Sequence, residues 1–419
     1  VQGDRESILE EEPMSYPRRT PRPAARIAAW MLALGLGGAL IAAAEEPKTR
    51  AFRQPFPAQA AELRLDNLAG RVELVRADGR EVVVEATVHA LGKSDAETRK
   101  LLDGMKWVRS KDSKGRDEWA LSYPVDQYTS YHYPQGAKGQ DEDNGFWSFL
   151  FGSLSSNSVT YRGERVRIYG TKRSGDPTLY VDLRIALPAG SQVAVRNVVG
   201  PMNGTGALEG TLSLKAGSGA VTLASYAGRL TVDTGSGRVV IGTAKGETAI
   251  DTGSGDVTVR NLVGNGSIDT GSGSVTVESL SAGKLALDTG SGDVLVKSGD
   301  AGRVIADTGS GSVKVLGVEL EELVADTGSG DVVVHSSLAR TKKISADTGS
   351  GGVHILAGPD ASFDVDADQG SGDLVVKYPD AVLRKSGRRV VGAKRGDGRT
   401  QIHVETGSGD CIIGPKQES

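Results

Sequence analysis

The chain has 419 residues, enough for a sizeable core, with 57 Gly, 15 Pro and a formal net charge of −4. That charge gives no global attraction to nucleic acid, and Gly does not fall at every third position, which excludes collagen. The single cysteine, Cys411, excludes an internal disulfide framework, and five scattered histidines are too few to build a zinc site.

Arg18, Arg19, Arg22 and Arg26 precede an almost unbroken apolar run from Ile27 to Ile41, and Ala42, Ala43 and Ala44 lead into Glu45 and Glu46. A basic stretch, an apolar run and small residues in that order read as an export signal. The apolar stretch 27–44 has 18 residues, close to the lower limit for spanning a bilayer, so a retained membrane anchor is the other reading. Either way the remainder is expected outside the cytoplasm, in the periplasm, on the cell surface or secreted. Residues 1–44 are therefore set apart as an N-terminal extension with a signal peptide or anchor.

Residues 45–190 form an N-terminal β-rich section. Leu63 to Val75 read as strand, turn, strand, and Glu81 to Val88 alternate with Val82, Val84, Ala86 and Val88 on one face. Ser94-Asp95-Ala96-Glu97 opens a short helix over 94–104 with an N-cap. Two more strands are expected at 165–170 and 178–187. An insertion at 124–160 is rich in aromatic residues, with Tyr128, Tyr131 and Tyr133 and then Phe146, Trp147, Phe149 and Phe151. Two readings stand: the insertion folds back to cap the open end of a repeat stack, or Phe146, Trp147, Phe149 and Phe151 form an exposed contact patch for a partner.

Residues 191–419 carry an internal repeat. Gly-Ser-Gly recurs from 217–219 to 407–409, at spacings of 18 to 21 residues and then one gap of about two periods. Seven copies read Asp-Thr-Gly-Ser-Gly, from Asp233, Asp251, Asp269, Asp288, Asp307, Asp326 and Asp347, and an eighth from Asp368 has Gln in place of Thr. Apolar residues alternate before the motif (Leu285/Leu287, Val304/Ala306) and after it (Val294/Val296, Val313/Val315), the period of half-buried strands. Gly-Ser-Gly is expected to supply positive φ for a tight bend, with a second bend at Gly228, Gly246, Gly264, Gly283 and Gly302. One such coil cannot bury its inner face alone, so the coils must stack. The fold expected is all-β: a single-chain parallel β-solenoid of about ten coils, its strands stacked roughly 4.8 Å apart.

Stacking places the motif aspartates one above another, where like charges repel. Two remedies are open. Each Asp accepts hydrogen bonds from the Thr, Gly and Ser amides after it, as in an Asx turn, or calcium sits between layers at Asp233, Asp251, Asp269, Asp288, Asp307, Asp326 and Asp347. The local turn is the primary expectation, with no cofactor. A second acidic column, Asp256, Asp293, Asp331 and Asp373, occupies alternate layers with Arg238, Ser274, Ser312 and Gly352 between, which reads as charge relief.

Asp-Thr-Gly-Ser is also the motif of aspartic proteases, but seven equivalent copies on one face cannot make their unique paired dyad. No catalytic residues are expected. Near the C-terminus, Arg384, Lys385, Arg388, Arg389, Lys394, Arg395 and Arg399 fall in the long gap and suggest a solvated hairpin, with attraction to anionic envelope surfaces as the other reading. Cys411 occupies a Val/Ile position and is expected in the core.

Three segments together resemble the bacterial "putative adhesin" family of β-strand-repeat proteins, a domain family of otherwise unknown function. They are Asp66–Val72 with Glu81–Ala86, Leu187-Pro188-Ala189-Gly190 joined to Asn197-Val198-Val199-Gly200, and the repeated Thr-Gly-Ser-Gly-x-Val. The resemblance covers about 60–415 and implies an exported β-solenoid without catalytic residues. The function expected is a cell-envelope binding or structural module, with an envelope protein or glycan as partner and membrane contact only through the N-terminal hydrophobic segment. A calcium-stabilised rod and a polysaccharide-acting β-helix enzyme are the alternatives. The enzyme would need a groove of clustered carboxylates or basic residues outside the turn ladder.

Overall fold

The structure, a computed structural model, describes residues 46–57, 62–111, 115–134 and 156–416. Glu45–Ser419 forms one compact unit, and the leader expected over 1–44 lies outside the described residues. Among the described residues there is one α-helix, Asp95–Gly104, capped by the Ser94 side chain on the Glu97 amide as its sequence predicts. No helix among them is long and apolar enough to cross a membrane.

The repeats stack as parallel strands in register. One core column runs Val72, Met202, Val221, Val239, Val257, Val275, Val294, Val313, Val332, Val353, Cys411 and Leu374, each paired with the next across the ladder. A facing column runs Leu65, Val195, Leu214, Val232, Ile250, Ile268, Leu287, Ala306, Ala325, Ala346, Val404 and Ala367. A third inner line includes Leu208, Tyr226, Ala244, Leu262 and Leu280. The Val column is essentially inaccessible to water, and each fully buried Val contributes about 1.5–3 kcal/mol, so the stack is held by its interior without disulfides. Cys411 sits in this core as expected.

The first layer belongs to the N-terminal section. Leu63–Ala69 pairs with Ser191–Val199, and Val72–Ala77 pairs with the start of Met202–Ser218. Between these two layers the chain leaves the solenoid and closes its open end. Thr178–Pro188 extends one face parallel to Val72–Ala77, then Glu81–Leu91 and Lys48–Pro57 continue it with antiparallel pairing. Asp117–Leu121 and Trp107–Lys111 extend the other face. Tyr123, Tyr131, Tyr133 and Tyr161 are buried at this end; the Tyr123 hydroxyl donates to Asn67 Oδ1 and Ala69 O, both at 3.0 Å.

At the C-terminal end, layer order departs from chain order. Lys343–Thr348 and Val353–Ala357 are followed in sequence by Phe363–Gln369 and Leu374–Val376, yet these do not stack directly. Thr400–Thr406 and Cys411–Pro415 lie between them, paired with both. The last coil of the chain is thus the penultimate layer. The hairpin Val382–Ser386/Arg389–Arg395 makes this possible: it adds Arg389–Arg395 antiparallel to Phe363–Gln369 and covers that edge while the chain returns.

Candidate functional site

The motif turns are built differently from the sequence expectation. Strand parity puts Leu230, Val232 and Thr234 on the inner face and Asp233 outside, and every later repeat follows suit. The Thr hydroxyls are buried and hold the turns. Thr308 Oγ1 accepts from the Gly311 amide at 3.1 Å and donates to Gly292 O of the preceding coil at 2.8 Å. Thr270, Thr289, Thr327 and Thr348 make the same two contacts. The threonine, not an Asx turn on the aspartate, therefore satisfies the turn, because only the inward side chain reaches its amides and the carbonyl below.

The Gly-Ser-Gly glycines are likewise required for another reason. From Gly235 onward none has φ in the left-handed range. A Cβ on Gly255, Gly273, Gly292 or Gly311 would instead stand 2.0–2.1 Å from the carbonyl oxygen of the glycine one coil below. These residues let turn lie directly on turn. The second bend does use positive φ at Gly228 (117°), Gly246 (108°) and Gly264 (115°), but not at Gly283 or Gly302.

The outward aspartates form one column: Asp233, Asp251, Asp269, Asp288, Asp307, Asp326, Asp347, Glu405 and Asp368, with Glu405 brought in by the intercalated coil. Lys215 pairs with Asp233 at 2.5 Å and heads the column. Partial burial, then the flanking Asp326 and Asp288, push the Asp307 carboxyl above its usual range; partial burial, Asp326 and Glu405 do the same to Asp347, against the pull of His403. Among the described residues, no group of three or more His, Cys, Asp or Glu is placed to hold a metal ion.

The second acidic column is relieved as its alternation suggested. Asp256, Asp293 and Asp331 each accept the backbone amide of the next layer, from Ser274 (2.9 Å), Ser312 (2.8 Å) and Gly352 (2.8 Å). Asp410 does the same for Asp373, so two acids adjoin only at the last step.

Beside the intercalated strand lies a cleft of about 320 Å³ lined by Lys343, Asp364, Asp366, Arg384, Gln401, Ile402 and His403. Gly392 lacks the Cβ that would block Arg384, whose guanidinium folds across to Asp364 Oδ1 and Val365 O, each at 2.5 Å. Apart from Arg384, these residues escaped sequence reasoning, because they meet only through the changed layer order. At the opposite end Asp66 is buried against Arg196 at 3.0 Å; burial pushes its carboxyl up to about 7, with Arg196 pulling the other way. Phe146, Trp147, Phe149 and Phe151, the predicted contact patch, lie outside the described residues.

A stack of in-register parallel coils with a closed hydrophobic interior defines an all-β solenoid. Residues 140–413 match the family model described as Toastrack DUF4097, and the chain belongs to that family, in agreement with the adhesin-like resemblance. A search of curated proteins returns no match. Among solved structures, a putative cell adhesion protein of Clostridium sporogenes is 12% identical, covering 88% of this chain and 100% of that one, with a TM-score of 0.15. Two from Parabacteroides distasonis are a putative lipid binding protein (10% identity, 88% and 96% covered, TM-score 0.32) and a putative adhesin (12%, 87% and 97%, 0.31). Similarity at this level carries nothing about function.

Proposed function

We propose that this chain is an exported cell-envelope module that binds an envelope protein or glycan through its outer faces and performs no catalysis. The observation that supports this reading is the ladder itself. Polar side chains repeat in register along it, including nine consecutive carboxylates from Asp233 to Asp368. A surface ruled at strand spacing suits a long partner with its own repeat, and the buried Thr network keeps that surface stiff. No cofactor enters this reading.

The test has two arms. Cell fractionation with mass measurement of the mature protein decides export and cleavage after residue 44. Binding to isolated envelope fractions and glycans is then compared between the wild type and an Asp269→Asn/Asp288→Asn/Asp307→Asn variant. Weaker binding by the variant is expected; a cytoplasmic protein, or one whose envelope binding ignores the column, contradicts the reading. The cleft at Asp364, Asp366 and His403 favours a second reading, polysaccharide cleavage. Release of reducing ends from envelope glycans, abolished by Asp366→Asn, would replace the first.

A further inference from the structure

The two ends of the sheet are finished differently. Among the described residues, three large hydrophobic side chains stand exposed: Val375 at 40%, Val382 at 71% and Leu383 at 43%. All three belong to the terminal layer or to the hairpin that extends it. Val382–Ser386 is exposed along its whole length and forms the outer strand of that hairpin, with Arg389–Arg395 on its inner side. Lys385, Arg388 and Lys394 are exposed on the same hairpin, and among the described residues none of their side chains has an ion-pair or hydrogen-bond partner. The remaining bases are engaged: Arg384 with Asp364, Arg395 with Asp380, and Arg389 with Gly372 O.

A free strand edge invites another strand, but this edge is built against it. The register slips between Arg384 and Lys385 because Val391 of the inner strand is an extra residue; such a bulge twists the hairpin away from flat pairing, and adjacent cations guard the outer strand. A surface that needs no backbone pairing fits better. Apolar side chains among uncompensated cations at a projecting turn match an anionic lipid headgroup layer, where the cations meet phosphate and the aliphatic chains enter the acyl boundary. We propose that the hairpin 382–395, with Val375, docks the C-terminal end of the solenoid on an anionic phospholipid surface. This is a second membrane contact, separate from the N-terminal hydrophobic segment and independent of any partner on the outer faces.

The test uses the full chain with Ser386→Cys at the hairpin turn, carrying an environment-sensitive fluorophore. Cys411 is buried and its thiol is pushed up to about 12, so the label goes to residue 386. The probe reads the hairpin locally, whatever the N-terminal segment does. A blue shift is expected on vesicles of phosphatidylcholine with roughly a quarter phosphatidylglycerol, and little or none on phosphatidylcholine alone. Lys385→Ala/Arg388→Ala should weaken the apparent affinity about 30-fold, from about 1 kcal/mol per cation, with an unchanged melting temperature. Leu383→Asp should also reduce it. No shift on anionic vesicles overturns the proposal, as does a shift that is equal on neutral lipid or indifferent to the double alanine variant. Capture of an acidic protein strand without any vesicle response assigns the edge to strand addition instead.

Discussion

Replacing Gly292 by Ala tests the turn-on-turn packing directly. The added Cβ would stand 2.0 Å from Gly273 O and 2.4 Å from Gly273 C, atoms of backbone that cannot rotate away. Reaching even 3.0 Å requires the two turns to part by about 1 Å. Two hydrogen bonds cross that gap, Thr289 Oγ1 to Gly273 O at 2.8 Å and the Val275 amide to Asp293 O at 2.9 Å, and an ångström would break both. Overpacking at about 1–3 kcal/mol plus two bonds at about 0.5–1.5 kcal/mol each gives a loss of roughly 2–6 kcal/mol. Urea unfolding followed by far-ultraviolet circular dichroism measures it as a lower midpoint at constant slope. Gly104→Ala is the control: nothing lies within 4 Å of its Cβ position, so it should be neutral or stabilising by up to about 1 kcal/mol. A neutral or stabilising Gly292→Ala would refute the packing argument, because an unstrained, uncrowded Gly→Ala change gains stability.

Thr308→Val keeps shape but strips the hydroxyl from Gly311 N and Gly292 O; it should cost about 1–3 kcal/mol in thermal or urea unfolding, while Thr308→Ser recovers most of it. Asp66 binds its proton more tightly folded than unfolded, so its contribution is fully present below pH about 4 and is lost as pH rises to about 7. Stability of the wild type relative to Asp66→Asn should therefore fall across that window, by no more than about 4 kcal/mol, and level off above it; a rise with pH would show the Arg196 pairing to dominate. Chelator followed by added calcium should leave the melting temperature unchanged, and a calcium-dependent increase would restore the cation-ladder reading.

Much of the fold was legible because a stacked coil writes itself into the sequence once per layer. The period, the strand pairs and the inner Val column all follow from alternation, and Ser94 announced the helix. The roles within Asp-Thr-Gly-Ser-Gly were misassigned although parity held the answer: Thr234 shares its face with Leu230 and Val232, so the hydroxyl points in and the carboxylate out. The glycines misled because tight turns and close backbone stacking both demand Gly, and sequence alone does not separate φ from crowding. The order of the last two layers was not legible. Glu405-Thr-Gly-Ser-Gly fits any layer, and only the hairpin's pairing with Phe363–Gln369 decides where the returning strand enters. The cleft depends on that order, so its residues carried no signal of their own.

Layer order is best tested by disulfide cross-linking on the outward column. Neighbouring layers place Cα atoms roughly 4.8 Å apart, within disulfide reach, and layers two apart roughly 9.6 Å, beyond it. Asp347→Cys/Glu405→Cys, separated by 58 residues, should cross-link efficiently under mild oxidation, and Asp347→Cys/Asp368→Cys, separated by 21, should not. The reverse pattern would mean that layers follow chain order, and equal failure of both pairs would mean that the coils are not stacked in register.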